Sequence, residues 1–68
     1  MHLVDIGHKE VQALKLGDFI LEDGEWEQVL EIDWVHATAR IVLGLRGRSR
    51  IVVRNAWSTV QVAVEVMD

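Results

Sequence analysis

Five arginines, Arg40, Arg46, Arg48, Arg50 and Arg54, fall between positions 40 and 54 and form the densest group of side chains in this chain that could do chemistry. A guanidinium presents its N–H donors in a planar fork that matches phosphate and carboxylate oxygens. Arg46, Arg48 and Arg50 bracket Gly47, so a hairpin tip there could enter a groove, with the glycine allowing close backbone approach. Trp57 follows shortly after Arg54 and offers an aromatic face; stacking on a base would contribute about 1–3 kcal/mol per base. Arg46, Arg48, Arg50, Arg54 and Trp57 therefore make up a candidate binding set for nucleic acid.

The other reactive residue types are sparser. His2, Asp5 and His8 recur at intervals of three, a spacing that gathers side chains on a helix, but Leu3-Val4-Asp5-Ile6 looks extended and would scatter them, so no metal site is expected. There is no cysteine, which excludes disulfides, thiolate metal sites and cysteine nucleophiles. Ser49 and Ser58 have no histidine and carboxylate context, and no glycine-rich phosphate loop is present. The chain reads as non-enzymatic, with no cofactor and no small-molecule substrate.

Sixty-eight residues make a single domain near the size at which one core is only just sufficient, so a gain from oligomerisation is expected. No basic start leads into a long apolar run and charges interrupt every apolar segment, so no signal peptide or transmembrane helix is expected, and the lack of cysteine fits a cytoplasmic setting. The net charge of −4 argues against general affinity for nucleic acid. Its distribution is uneven: residues 1–34 hold nine acidic and two basic side chains, and every arginine lies in residues 35–68. Acidic mimicry of nucleic acid, to inhibit an enzyme, is a further reading of that excess.

Eleven valines and five isoleucines favour pleated, half-buried surfaces and hence an all-β class. A short strand is expected at 2–6, ended by Gly7, followed by an irregular turn or short helix over residues 8–16. Phe19-Ile20-Leu21 is a compact strand, and Asp23-Gly24 is a two-residue hairpin signal because a type I′ turn needs positive φ at both positions. From Glu25 onward Trp26, Leu30, Ile32 and Trp34 share one parity, the expected core face, while Glu25, Glu27, Val29, Glu31, Asp33 and Val35 share the other.

A loop centred on His36-Ala37 pairs Ile32 with Ile41 and Leu30 with Leu43, and sets Asp33 against Arg40 and Glu27 against Arg46. A three-residue loop at Arg46-Gly47-Arg48 then pairs Leu43 with Ile51, Ile41 with Val53 and Val42 with Val52. Shifting that second pairing by one residue would place Arg54 opposite Ile41 and turn arginines inward, so it is disfavoured. In this register Arg40 and Arg46, with Arg54 beside Arg40, form a cross-strand charge ladder with the acids of the preceding strand, each exposed pair worth only about 0.2–1 kcal/mol, and Arg48 and Arg50 are left without an assigned partner. Val60, Val62, Val64 and Val66 alternate with Thr59, Gln61, Ala63 and Glu65 in the cleanest strand signal of the chain.

Successive hairpins, then a short turn over Asn55-Ala56-Trp57-Ser58 before the last strand, resemble the order of an SH3-like small β-barrel. The resemblance covers about residues 11–66 and implies five or six antiparallel strands with a 3₁₀ turn before the last one. Locally, Val11-Gln12-Ala13-Leu14-Lys15-Leu16-Gly17-Asp18-Phe19-Ile20-Leu21 with Asp23-Gly24-Glu25-Trp26 resembles the opening of Hint and intein-type domains and of small actinobacterial and phage barrel proteins. The Hint nucleophile and Thr-x-x-His block are absent, so only a strand entered through Leu14-Lys15-Leu16-Gly17-Asp18 carries over, together with a phage, plasmid or actinobacterial origin.

Two surfaces remain after the strands are placed. Val42 and Val52, opposed on the outer face between charges, suggest a protein partner or self-association. The arginine tip suggests nucleic acid. Trp26 and Trp34 are expected in the core, and Trp57 is expected to cap the barrel end. The leading expectation is a small interaction or structural module that binds a protein partner or itself through its sheet surface, ahead of a nucleic-acid-binding barrel.

Overall fold

Asp23 and Gly24 both adopt positive φ, 50° and 81°, the combination that lets a two-residue turn follow the twist of paired strands. They close a hairpin between β2 (Phe19–Glu22) and β3 (Glu25–Val35), with Leu21 opposite Trp26 and Glu22 opposite Glu25. The computed structural model describes residues 2–47 and 51–67. Among these are four further strands, β1 (His2–Glu10), β4 (Arg40–Leu45), β5 (Val52–Asn55) and β6 (Thr59–Val66), and no α-helix. The protein is all-β: one antiparallel sheet with the order β1-β6-β2-β3-β4-β5. β1 and β5 stand at the two ends of that order and do not pair with each other among the described residues, so the sheet is not closed.

β1 runs past Gly7 where a shorter strand ending there was expected. The register against β6 shifts between Asp5 and Gly7, leaving Ile6 as the extra residue of a bulge. Gly7 takes φ +90°, and its N–H donates to Asp5 Oδ1 at 2.8 Å. The bulge lets the strand resume and pair Lys9 with Val60 and Glu10 with Thr59. A single 3₁₀ turn, Val11–Ala13, follows and buries Val11. The N–H groups of Val11 and Gln12 donate to the carbonyls of Ser58 and Ala56, at 2.8 and 3.1 Å, and thus tie the end of β1 to the β5–β6 connection.

The second hairpin turns through another 3₁₀ turn, His36–Thr38, with Ala39 in the left-handed region at φ 52°. This longer loop moves the β3–β4 register by two residues: Val35 faces Arg40, Asp33 faces Val42 and Ile32 faces Leu43. A shift of two preserves the facing of every side chain, so Ile41, Leu43 and Leu45 are buried as their alternation requires. It does break the expected charge ladder, because Asp33 lies opposite Val42 instead of Arg40.

A bulge between Val29 and Glu31 reverses the parity of β3 midway. Val29, opposite Leu45, enters the core, and Leu30 is left exposed. Ahead of the bulge, Trp26 sits half-buried opposite Leu21 on the face away from Ile20. Trp34, beyond it, lies opposite Ile41 at the rim and is 41 % exposed, stacked on the His36 ring at 5.2 Å and 13°. The single parity expected for Trp26, Leu30 and Trp34 therefore fails, since one inserted residue exchanges the two faces.

β5 adopts the register disfavoured above. Leu43 faces Val52, Val42 faces Val53 and Ile41 faces Arg54. Val52 is buried and Ile51 exposed. Arg54 is tolerated on the core-facing side because it lies at the strand's end, where its guanidinium ion-pairs with Glu22 of β2. The turn before β6 is closed by Ser58 N–H donating to the Asn55 carbonyl at 3.0 Å, and both 3₁₀ turns lie elsewhere.

Val11, Leu14, Ile20, Val29, Ile41, Leu43, Leu45, Val52, Ala56, Val60 and Val62 form one buried cluster, with Ile32 packed against it. Full burial of a Val, Leu or Ile side chain contributes about 1.5–3 kcal/mol. Among the described residues no polar or charged side chain is buried, so β-branched and leucine side chains from every strand except β1 carry the interior.

Candidate functional site

β3 is paired on different sides along its length. β2 accompanies it only from Glu25 to Gln28, and the chain leading into β2 adds the contacts of Val29, whose N–H donates to the Asp18 carbonyl at 2.8 Å. From Leu30 onward β4 covers one side, and among the described residues no strand lies along the other. The Leu30 bulge carries the strand away from β2 at this point.

A shallow depression of about 320 Å³ follows that open edge, lined by Leu16, Leu30, Glu31, Ile32 and Asp33. Leu16 is 66 % exposed and Leu30 45 %, and Trp34 and Val35 continue the apolar surface along the same strand. Two carboxylates, Glu31 and Asp33, border it. An open strand edge presents backbone N–H and C=O groups to an added strand, and alternate side-chain pockets beside it supply specificity.

The outer face of β3, β4 and β5 adjoins this edge. In one row Val35, Arg40 and Asn55 lie side by side, and in the next Asp33, Val42 and Val53. The apolar strip expected from Val42 and Val52 thus exists with a different member: Val42 is half-buried, Val52 belongs to the core, and Val53 occupies the surface position.

Of the arginine set, Arg40, Arg46 and Arg54 lie among the described residues, and Arg46 sits apart from the other two. Arg46 donates through Nε to Gln28 Oε1 at 3.1 Å and through its backbone N–H to the Gln28 carbonyl at 2.9 Å, so it lies against Gln28 and not in the expected pairing with Glu27. Arg48 and Arg50 lie outside the described residues. Arg54 is held between Glu22 and its own strand, donating from Nη1 to the Val53 carbonyl at 2.9 Å. Trp57, expected as a cap, is 62 % exposed, and its backbone N–H donates to Asn55 Oδ1 at 2.9 Å. Arg40, Val53, Arg54 and Asn55 line a second depression of about 390 Å³. Asn55 was not singled out by sequence reasoning; its place at a strand end before a turn, where Asx side chains bond the following backbone, was the available signal.

Of the spaced group at the start of the chain, Asp5 accepts hydrogen bonds from Gly7 N–H and from the Gln61 amide. Those two bonds, the Gly7 one foremost, hold its carboxyl below the ordinary value of 3.8 against the opposing effect of desolvation, and the nearby His8 lowers it further. Asp5 thus pins the bulge to β6. Lys9, on the same strand, approaches Asp18 at 3.9 Å.

Among the described residues no helix is long and apolar enough to cross a membrane. Comparison with protein-family models, with curated proteins and with solved structures returns no match.

Proposed function

We propose that the chain is a small non-enzymatic interaction module that takes an extended protein segment, from a partner or from a second copy, along the open edge of β3. The observation that carries this reading is the conjunction of a strand edge from Leu30 onward that no strand among the described residues pairs with and the apolar depression of Leu16, Leu30 and Ile32 beside it. Backbone groups on that edge supply affinity in strand addition, and the depression accepts one apolar side chain of the incoming segment. Glu31 and Asp33 favour a segment that carries lysine or arginine beside that apolar residue. A domain with so small a core also gains stability from covering such a surface.

The architecture is proposed as a variant of the SH3-like small barrel. Its support is the succession of hairpins from β2 to β5 and the bonds from Val11 and Gln12 to the β5–β6 connection, which draw the two ends of the sheet together. The nucleic-acid reading has less behind it, since Glu22 offsets the charge of Arg54, Arg46 lies against Gln28, and Arg48 and Arg50 fall outside the described residues.

Sedimentation equilibrium from micromolar to millimolar concentration, on the wild type and on Leu30→Lys, tests the self-association arm. A mass that rises with concentration and falls back to the monomer in the variant supports a second copy as occupant. If both remain monomeric, the tagged wild type and Leu30→Lys are used to capture proteins from cells in parallel. Proteins retained by the wild type and lost with the variant support a heterologous segment; identical capture, or capture of nucleic acid only, overturns the reading.

A further inference from the structure

We propose that the depression between β4 and β5, lined by Arg40, Val53, Arg54 and Asn55, is a receptor for an oxyanion group, phosphate or carboxylate. It rests on residues separate from the β3 edge and stands or falls independently of it. The register places Arg40 directly opposite Asn55, and Arg54 one residue before Asn55 on the same strand. The sheet would send the Arg40 and Arg54 side chains to opposite faces, yet both line this one depression. Arg54 reaches it from a position fixed by the Val53 carbonyl and by Glu22.

The polar groups there are almost wholly donors. Arg54 spends one N–H on the Val53 carbonyl and another on Glu22, out of the five that a guanidinium carries. Asn55 uses its Oδ1 to accept the backbone N–H of Trp57, which leaves the amide NH₂ as its other hydrogen-bonding group. Arg40 makes no side-chain hydrogen bond or ion pair among the described residues. The acceptors nearby, the Val53 carbonyl, Glu22 and Asn55 Oδ1, are each already engaged. The residues lining the depression thus bring one guanidinium with no side-chain partner among the described residues, a second with N–H groups to spare, and an amide whose oxygen is already occupied.

Such a set complements the oxygens of an anion, and no carboxylate stands among the described residues that line the depression. Because Arg54 and Asn55 are held by bonds that exist without a ligand, only Arg40 must be ordered on binding, which limits the entropic cost. Val53, 41 % exposed, gives an apolar wall for the carbon or ester portion that carries the anionic group. Glu22 offsets the charge of Arg54, so Arg40 supplies the net positive charge of the site and decides affinity.

The test is an NMR titration of the ¹⁵N-labelled chain with inorganic phosphate and, separately, with acetate, at ionic strength held constant with chloride. Wild type, Arg40→Gln and Asn55→Asp are compared; the second variant keeps the oxygen that receives the Trp57 N–H and adds a negative charge. Saturable shifts centred on the Val53, Arg54 and Asn55 signals are expected for at least one of the two anions. Affinity is expected to fall about tenfold in Arg40→Gln, the loss of one charge-assisted contact, and further in Asn55→Asp. The stronger of the two anions identifies whether phosphate or carboxylate is the better fit. Shifts that never saturate with either anion, or an Arg40→Gln variant whose dispersed spectrum titrates like the wild type, overturn the proposal.

Discussion

Arg54 on β5 and Glu22 on β2 form an ion pair although two strands, β3 and β4, stand between theirs in the sheet. A flat sheet would hold them roughly 15 Å apart at the usual spacing of neighbouring strands. Their contact therefore reports strong curling of the sheet around the Ile41 and Leu43 side chains, and it closes the end of the core where Arg54 faces inward. Glu22 is the more enclosed partner, with 12 % of its side chain exposed against 38 % for Arg54.

A double-mutant cycle on Glu22→Gln and Arg54→Gln is expected to return a coupling of about 0.5–2 kcal/mol, above the usual value for fully exposed pairs. Urea denaturation with an unchanged slope measures it. A coupling near zero would mean that other contacts curl the sheet.

The β5 register makes a sharp distinction between adjacent valines. Val52→Ala should cost about 2 kcal/mol, because it opens a gap against Leu43 in the core. Val53→Ala should stay within about 0.5 kcal/mol, as surface changes do. Equilibrium unfolding of the two variants decides between this register and the one shifted by a residue, for which the order of the two effects reverses.

Asp5 gives the pH dependence a predictable sign. Its carboxyl is depressed in the folded state relative to 3.8 by the Gly7 and Gln61 bonds, so its stabilising contribution is present above that unfolded value and is lost as pH falls through the lower folded one. The urea midpoint of the wild type should therefore decline on acidification through this window more than that of Asp5→Asn, in which position 5 no longer titrates. Parallel curves for the two proteins would show that the carboxylate does not hold the bulge.

The same bulge depends on the backbone of Gly7, whose φ of +90° is unfavourable for any side chain. Nothing lies within 4 Å of a Cβ placed there, so the cost of Gly7→Ala is conformational and not steric. A loss of about 1–2 kcal/mol is expected, together with faster amide exchange over residues 2–6 measured by hydrogen exchange.

Much of the strand content was legible because it is local. The Asp23-Gly24 turn is written in two residues with the right conformational freedom, and Val60, Val62, Ile41, Leu43 and Leu45 face inward wherever their strands are anchored, since alternation within a strand needs no partner. Pairing is different. Nothing near Leu30 marks it as the residue to be extruded; the bulge follows from how β3 must leave β2 and join β4. That one event buries Val29 and exposes Leu30, and it places Trp26 and Trp34 on opposite faces, both outside the buried core.

The arginine cluster shows the same division at the candidate sites. Its position in sequence invited a shared surface, and its chemistry, an affinity for oxyanions and carboxylates, is set by residue type alone. That Arg54 meets Glu22 was decided by tertiary structure. Turning Arg54 toward the core is unfavourable when only β4 and β5 are considered, and becomes acceptable because Glu22, distant in sequence, is brought to the same end of the core by the curl of the sheet. Parity is a property of a strand, whereas register and charge pairing are properties of the strands that reach it, and these are chosen by the packing of the whole.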